Sequence, residues 1–178
     1  MRPIHFGWRI AVLAMLIAVS AGSAMAQSTI TSEQTEFWKQ AKKQSLAYID
    51  KMPEEALSFK PTPEIRSFSE QMIHLAYWNF GIVGPVIGKA NPYDGKEKSL
   101  MTEIKTKAGL AKFVGESYDF ALAGLGALND AKLTEKVSIF GQNQTRVTAL
   151  GIALDHQAHH RGQTVIYLRL KGVTPPVG

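Results

Sequence analysis

The stretch Asp155-His156-Gln157-Ala158-His159-His160-Arg161-Gly162-Gln163 sets a run of polar groups into an apolar, helix-patterned segment. His156 and His160 are four residues apart, so on a helix both imidazoles project from one face with Cβ atoms about 6 Å apart. Two nitrogens at that spacing reach one divalent ion, the geometry that makes H-x-x-x-H a ligand pair in zinc helices. His74 lies in a different helical segment and completes a set of three. Three neutral imidazoles from two helices leave coordination positions open for water or substrate, as catalytic rather than structural metal sites do. An ion so held acidifies water to a pKa of about 7, or acts as a Lewis acid toward a carbonyl or thiolate. Imidazole suits several first-row metals, and Zn²⁺ or Ni²⁺ is the expected ion.

Glu70, one turn before His74, is the candidate general base or a partner that orients an imidazole from behind. Asp155 is rotated off the His156 face. A second reading of the same residues is structural. An H-x-x-x-H pair also occurs as a solvated polar stripe, and a histidine among Ile73, Leu75 and Trp78 is also a hydrogen-bonded core residue. His159 is read as pairing with Asp155 at i, i+4, and Tyr77 and Trp78 as core. Asn143-Gln144-Thr145 matches a glycosylation sequon and reads as a helix start. Spacing alone leaves metal ligands and structural histidines in balance.

Helical periodicity dominates the segments that must position these groups. A first helix is expected over 32–51, opened by a T-x-x-Q capping box at Thr31 and Gln34 and ended by Met52-Pro53. The linker 53–66 contains Pro61 and Pro63, which favour extended backbone. Ser67 and Glu70 form an S-x-x-E box that opens the His74 helix, whose far end Gly81, Gly84 and Pro85 should loosen or kink. Residues 91–99 are polar and turn-rich. A third helix is expected over 107–128, weakened by its glycines, and a fourth over 145–171 with Gly172 at its C-terminal cap. The fold class is therefore all-α, a four-helix bundle with a crossover connection made by the longer linkers.

The first 26 residues have the form of a secretory signal peptide. Arg2 and Arg9 supply positive charge, Ile10 to Val19 are apolar, and Ala24-Met25-Ala26 is a cleavage pattern before Gln27. The apolar run falls short of the about 20 residues that span a bilayer. The mature chain, 27–178, is expected to be an exported, periplasmic single domain without stable membrane anchoring. Of 20 basic residues two lie in the signal, which leaves 18 against 15 acidic ones and a mild net charge near +3. The lysines are scattered rather than gathered into a stripe with aromatics, which argues against nucleic-acid binding. With no cysteine, the protein has no disulfides, no lipidated cysteine and no thiolate ligand.

Met52-Pro53-Glu54-Glu55-Ala56-Leu57-Ser58-Phe59-Lys60-Pro61, followed by Ile65-Arg66-Ser67-Phe68 and the His74 helix, resembles the DinB/YfiT-like family. So does His156 to Gln163 with Leu168-Arg169-Leu170-Lys171-Gly172 and the Pro175-Pro176 tail. The resemblance covers nearly the whole mature chain. It implies a four-helix bundle in which His74, His156 and His160 bind a divalent metal. It also implies a small-molecule substrate and S-transfer with a low-molecular-weight thiol, while the water that an open metal site would activate gives metal-dependent hydrolysis as the other expected reaction. The non-catalytic alternative is a metal- or ligand-binding bundle, in one form a homodimer, whose cavity stores or senses.

Overall fold

A computed structural model of the protein describes residues 29–177. The expected signal peptide, 1–26, lies outside the described residues. Four long helices carry the fold: α1 (Ile30–Lys51), α2 (Phe68–Ile87), α4 (Lys107–Leu125) and α6 (Arg146–Leu170). Between them lie a single 3-10 turn (Glu54–Ala56), the short helices α3 (Glu97–Glu103) and α5 (Asp130–Leu133), and the strands β1 (Lys136–Ile139) and β2 (Gln142–Thr145). Among the described residues no helix is long and apolar enough to cross a membrane.

The caps set where the helices begin. Ser67 and Glu70 form the expected box at the start of α2, and Thr145 caps α6 by accepting from the Thr148 amide. α1 begins earlier than its pattern suggests. Thr29 accepts from the Ser32 amide, while Thr31 donates its hydroxyl to Asp130 at 2.7 Å and is not the cap. α2 runs unbroken through Gly81, Gly84 and Pro85 and ends at Gly88, whose φ of 69° satisfies the last carbonyls in a left-handed cap. α4 stops at Leu125, three residues before the expected end.

Helices adjacent in sequence are not all adjacent in space. α2 packs mainly on α6 and α4, and α1 packs on α4 and α6. Around the bundle the order is therefore α1, α4, α2, α6, and the α1–α2 and α4–α6 connections cross between opposite corners. These are the crossovers that the long linkers permit. Gly124 lets α4 approach α2, since a Cβ there would stand 2.5 Å from the Ile87 side chain. The core is aliphatic and aromatic, with Trp38, Phe68, Met72, Leu110 and Tyr118 fully buried. Two polar pairs lie inside it: Tyr118 and Ser45 share a hydrogen bond of 2.7 Å, and Asn79 donates from Nδ2 to Ser117 at 3.1 Å.

Candidate metal centre

The α2–α6 packing brings the three singled-out histidines together. One ring nitrogen from each of His74, His156 and His160 lies within 4.8 Å of the others, close enough for one ion to be shared. Ring centroids are 4.5 Å apart for His156–His160 and His74–His160, and 5.2 Å for His74–His156. The two helical faces predicted to meet do meet, because α6 presents Ala149 and Ala153 two turns and one turn before His156 and both are buried small residues that admit α2.

Two of the three imidazoles are held from behind. His160 donates from Nδ1 to Gln71 Oε1 at 2.9 Å. His74 donates from Nδ1 to the Glu97 carboxylate. Each bond places the proton on Nδ1 and leaves the Nε2 lone pair available to a metal, the orientation that accompanies histidine ligation. His156 differs, for its Nδ1 is buried without a hydrogen-bond partner. A buried nitrogen left uncompensated in this way fits a site completed by an ion and its waters.

Electrostatics keeps the set neutral. Burial pushes His156 down to about 4, helped by His74 and His159. Burial pushes His160 down to about 3, with the neighbouring His156 and His74 adding to it. Burial also lowers His74, against the opposing pull of its bond to Glu97. At neutral pH all three present lone pairs rather than protons, which is the state a metal requires.

The other expected site residues are placed differently. Glu70 accepts from the Ser67 amide at 2.7 Å and pairs with Lys60 at 3.1 Å. Its carboxylate is committed to the α2 cap, and the carboxylate that reaches His74 is that of Glu97. Glu97 stands at the start of α3, inside the turn-rich 91–99 stretch, where local pattern gives no hint that it reaches a histidine 23 positions earlier. Asp155 is exposed, and His159 contacts Gln163 at 2.8 Å rather than Asp155. Tyr77 is buried, and the half-buried Trp78 flanks His74 and His156 with centroids at 6.3 and 6.4 Å. Phe140, at the tip of the β1–β2 hairpin, stacks edge-on against Trp78 at 5.2 Å. On the opposite side, His160 opens onto a cleft of about 780 Å³ lined also by Arg66, Gln71, Gln163 and Tyr167.

Over residues 25–177 the sequence matches the DinB family. The chain belongs to that family. YjoA of Bacillus subtilis is 28% identical over 130 residues, 70% of this DinB-family chain and 80% of YjoA. Its crystal structure superposes with a TM-score of 0.63, covering 82% of this chain and 96% of YjoA at 21% identity. A DinB-like protein from Bacillus cereus gives a TM-score of 0.69 at 19% identity, covering 86% and 99% of the two chains. YfiT from Bacillus subtilis, described as "a probable metal-dependent hydrolase with an unusual four-helix bundle topology", gives 0.57 at 20% identity, covering 84% and 94%. At these identities the structural likenesses establish the fold, and the crossed bundle order agrees with it.

Proposed function

We propose that this DinB-family protein is a metal-dependent hydrolase of a small electrophilic substrate, exported to the periplasm by its first 26 residues. The observation that carries the reading is the triad itself, three neutral imidazoles from two helices, two of them fixed by Gln71 and Glu97. His74, His156 and His160 would hold the ion, and a divalent metal there supplies a Lewis acid that polarises a carbonyl and acidifies water. Zn²⁺ or Ni²⁺ fits a site of imidazoles alone. Glu97 and Gln71 orient His74 and His160 and keep their protons on Nδ1. Trp78, backed by Phe140, covers one flank of the triad and limits access of water from that side. The cleft beside His160 gives the substrate its approach.

The hydrolase description of YfiT supports this choice over S-transfer. So does export, because low-molecular-weight thiols are kept reduced chiefly in the cytoplasm. Export itself rests on Arg2, Arg9, the apolar run and Ala24-Met25-Ala26.

The test is elemental analysis of untagged protein beside its His156→Ala variant, followed by metal-dependent turnover of an activated-ester panel with and without added thiol. Near-stoichiometric metal that the variant loses, with ester cleavage that needs metal and not thiol, is expected. Full metal occupancy in the variant overturns the site. Turnover only with thiol replaces hydrolysis by S-transfer, and metal without turnover leaves a storage or sensing bundle.

A further inference from the structure

The cleft beside the triad carries a charge that has no ion-pair partner among the described residues. It belongs to Arg66, which lines the cleft and is exposed. The backbone that bears it is nevertheless held in place. Tyr167 donates its hydroxyl to the Arg66 carbonyl at 2.6 Å, Gln71 Nε2 donates to that hydroxyl at 3.4 Å, and Gln71 Oε1 accepts from His160. A chain of three hydrogen bonds thus ties the backbone that bears the guanidinium to one of the candidate ligands. The positive charge also bears on all three imidazoles and contributes to their low basicity.

The same cleft has an apolar rim. Ile65 and Ile166 are 39% and 54% exposed, beside the buried ring of Tyr167. Gln163 also lines the cleft, with its Oε1 buried and without a hydrogen-bond partner. Glu64 is the one carboxylate on the lining, and its hydrogen bonds with Thr62 and its own amide hold it ionised. It does not pair with Arg66. An unpaired guanidinium beside exposed isoleucines matches a ligand with an anionic head and an apolar body.

We infer that Arg66 binds a carboxylate or phosphate of the substrate, whose apolar body lies on Ile65, Ile166 and Tyr167 and whose reacting bond faces His160. The inference rests on the metal-hydrolase reading for the last clause alone. Arg66 is a specificity residue, and Tyr167 is a positioning residue that holds it.

Calorimetric titration of the metal-free protein at low ionic strength tests the cleft separately from the metal. The probes are benzoate, phenyl phosphate and neutral benzamide, applied to the parent, Arg66→Met and Arg66→Lys. At least one anion should bind the parent at least about tenfold more tightly than benzamide, and Arg66→Met should weaken it about 10- to 100-fold. Arg66→Lys should retain part of the affinity, as a point charge without the fork. Preference for benzoate identifies a carboxylate head, and preference for phenyl phosphate a phosphate. Equal anion affinity in parent and Arg66→Met, equal binding of benzamide, or anion binding only after metal is added overturns the proposal. Thermal melts of the variants guard against misfolding. Failure here leaves the metal site to be decided by the His156→Ala analysis.

Discussion

Gln71 and Glu97 act on the candidate centre without being ligands, and Gln71 is the sharper probe. Gln71→Leu keeps the bulk of a buried side chain and removes the acceptor of the His160 Nδ1 proton. Metal affinity, read by competition with a chromophoric chelator, should fall about 10- to 100-fold. Glu70→Gln is the matched control. It weakens the α2 cap by about 0.3–1.5 kcal/mol in denaturant unfolding and should leave metal affinity unchanged. A metal defect in Glu70→Gln equal to that in Gln71→Leu would return Glu70 to the site. The three histidines were legible in the sequence because i, i+4 spacing on one helix is local information and His74 is the one histidine in its helix. Their supports were not. Gln71 is a polar residue like others on α2, and the Glu97 bond depends on where α3 docks.

The β1–β2 hairpin is the element that periodicity missed, and its composition explains why. Lys136–Ile139 alternates over only four residues, and Gln142–Thr145 has no apolar residue at all. Its turn is Phe140-Gly141, with φ of 54° and 76°, a pair of positive values that two-residue hairpins fill with Asn-Gly. A bulky residue is strained there, yet Phe140 is 65% exposed and spends its ring on Trp78. Strain at this position and cover for Trp78 therefore oppose each other in one side chain. Phe140→Asn should relieve the turn and uncover the indole. Thermal stability should hold or rise slightly, while acrylamide quenching of tryptophan fluorescence increases. Trp38 is fully buried, so among the described tryptophans the change belongs to Trp78. Unchanged quenching would show that Phe140 does not shield the triad's flank.

At the scale of the whole molecule, the number and approximate extent of the long helices followed from apolar stripes and the Ser67–Glu70 box, while their order around the bundle did not. Amphipathic stripes say that a helix is buried on one side; which neighbour covers it depends on complementary small and large residues, such as Gly124 against Ile87. The crossed order has an energetic consequence that reaches the entire fold. It buries the imidazoles of α2 and α6 against one another, so folding holds them neutral. The unfolded chain takes up protons on these histidines below about pH 6.5. The folded chain does so only near pH 4 at His156 and pH 3 at His160. Between those limits the unfolded state binds more protons, and stability of the metal-free protein must fall as pH falls. Carboxylates with lowered values, such as Glu135 held by Lys132 and Arg146, begin to contribute only as pH nears their ordinary range below about 4.5. The window from pH 6.5 to 5 therefore isolates the imidazoles. The urea midpoint of the metal-free protein should be flat from pH 8 to 7 and decline through that window. In the doubly substituted His156→Ala, His160→Ala protein the decline should largely vanish, because His74 alone remains and Glu97 offsets part of its burial. An equal slope in both proteins would assign the acid sensitivity to other groups.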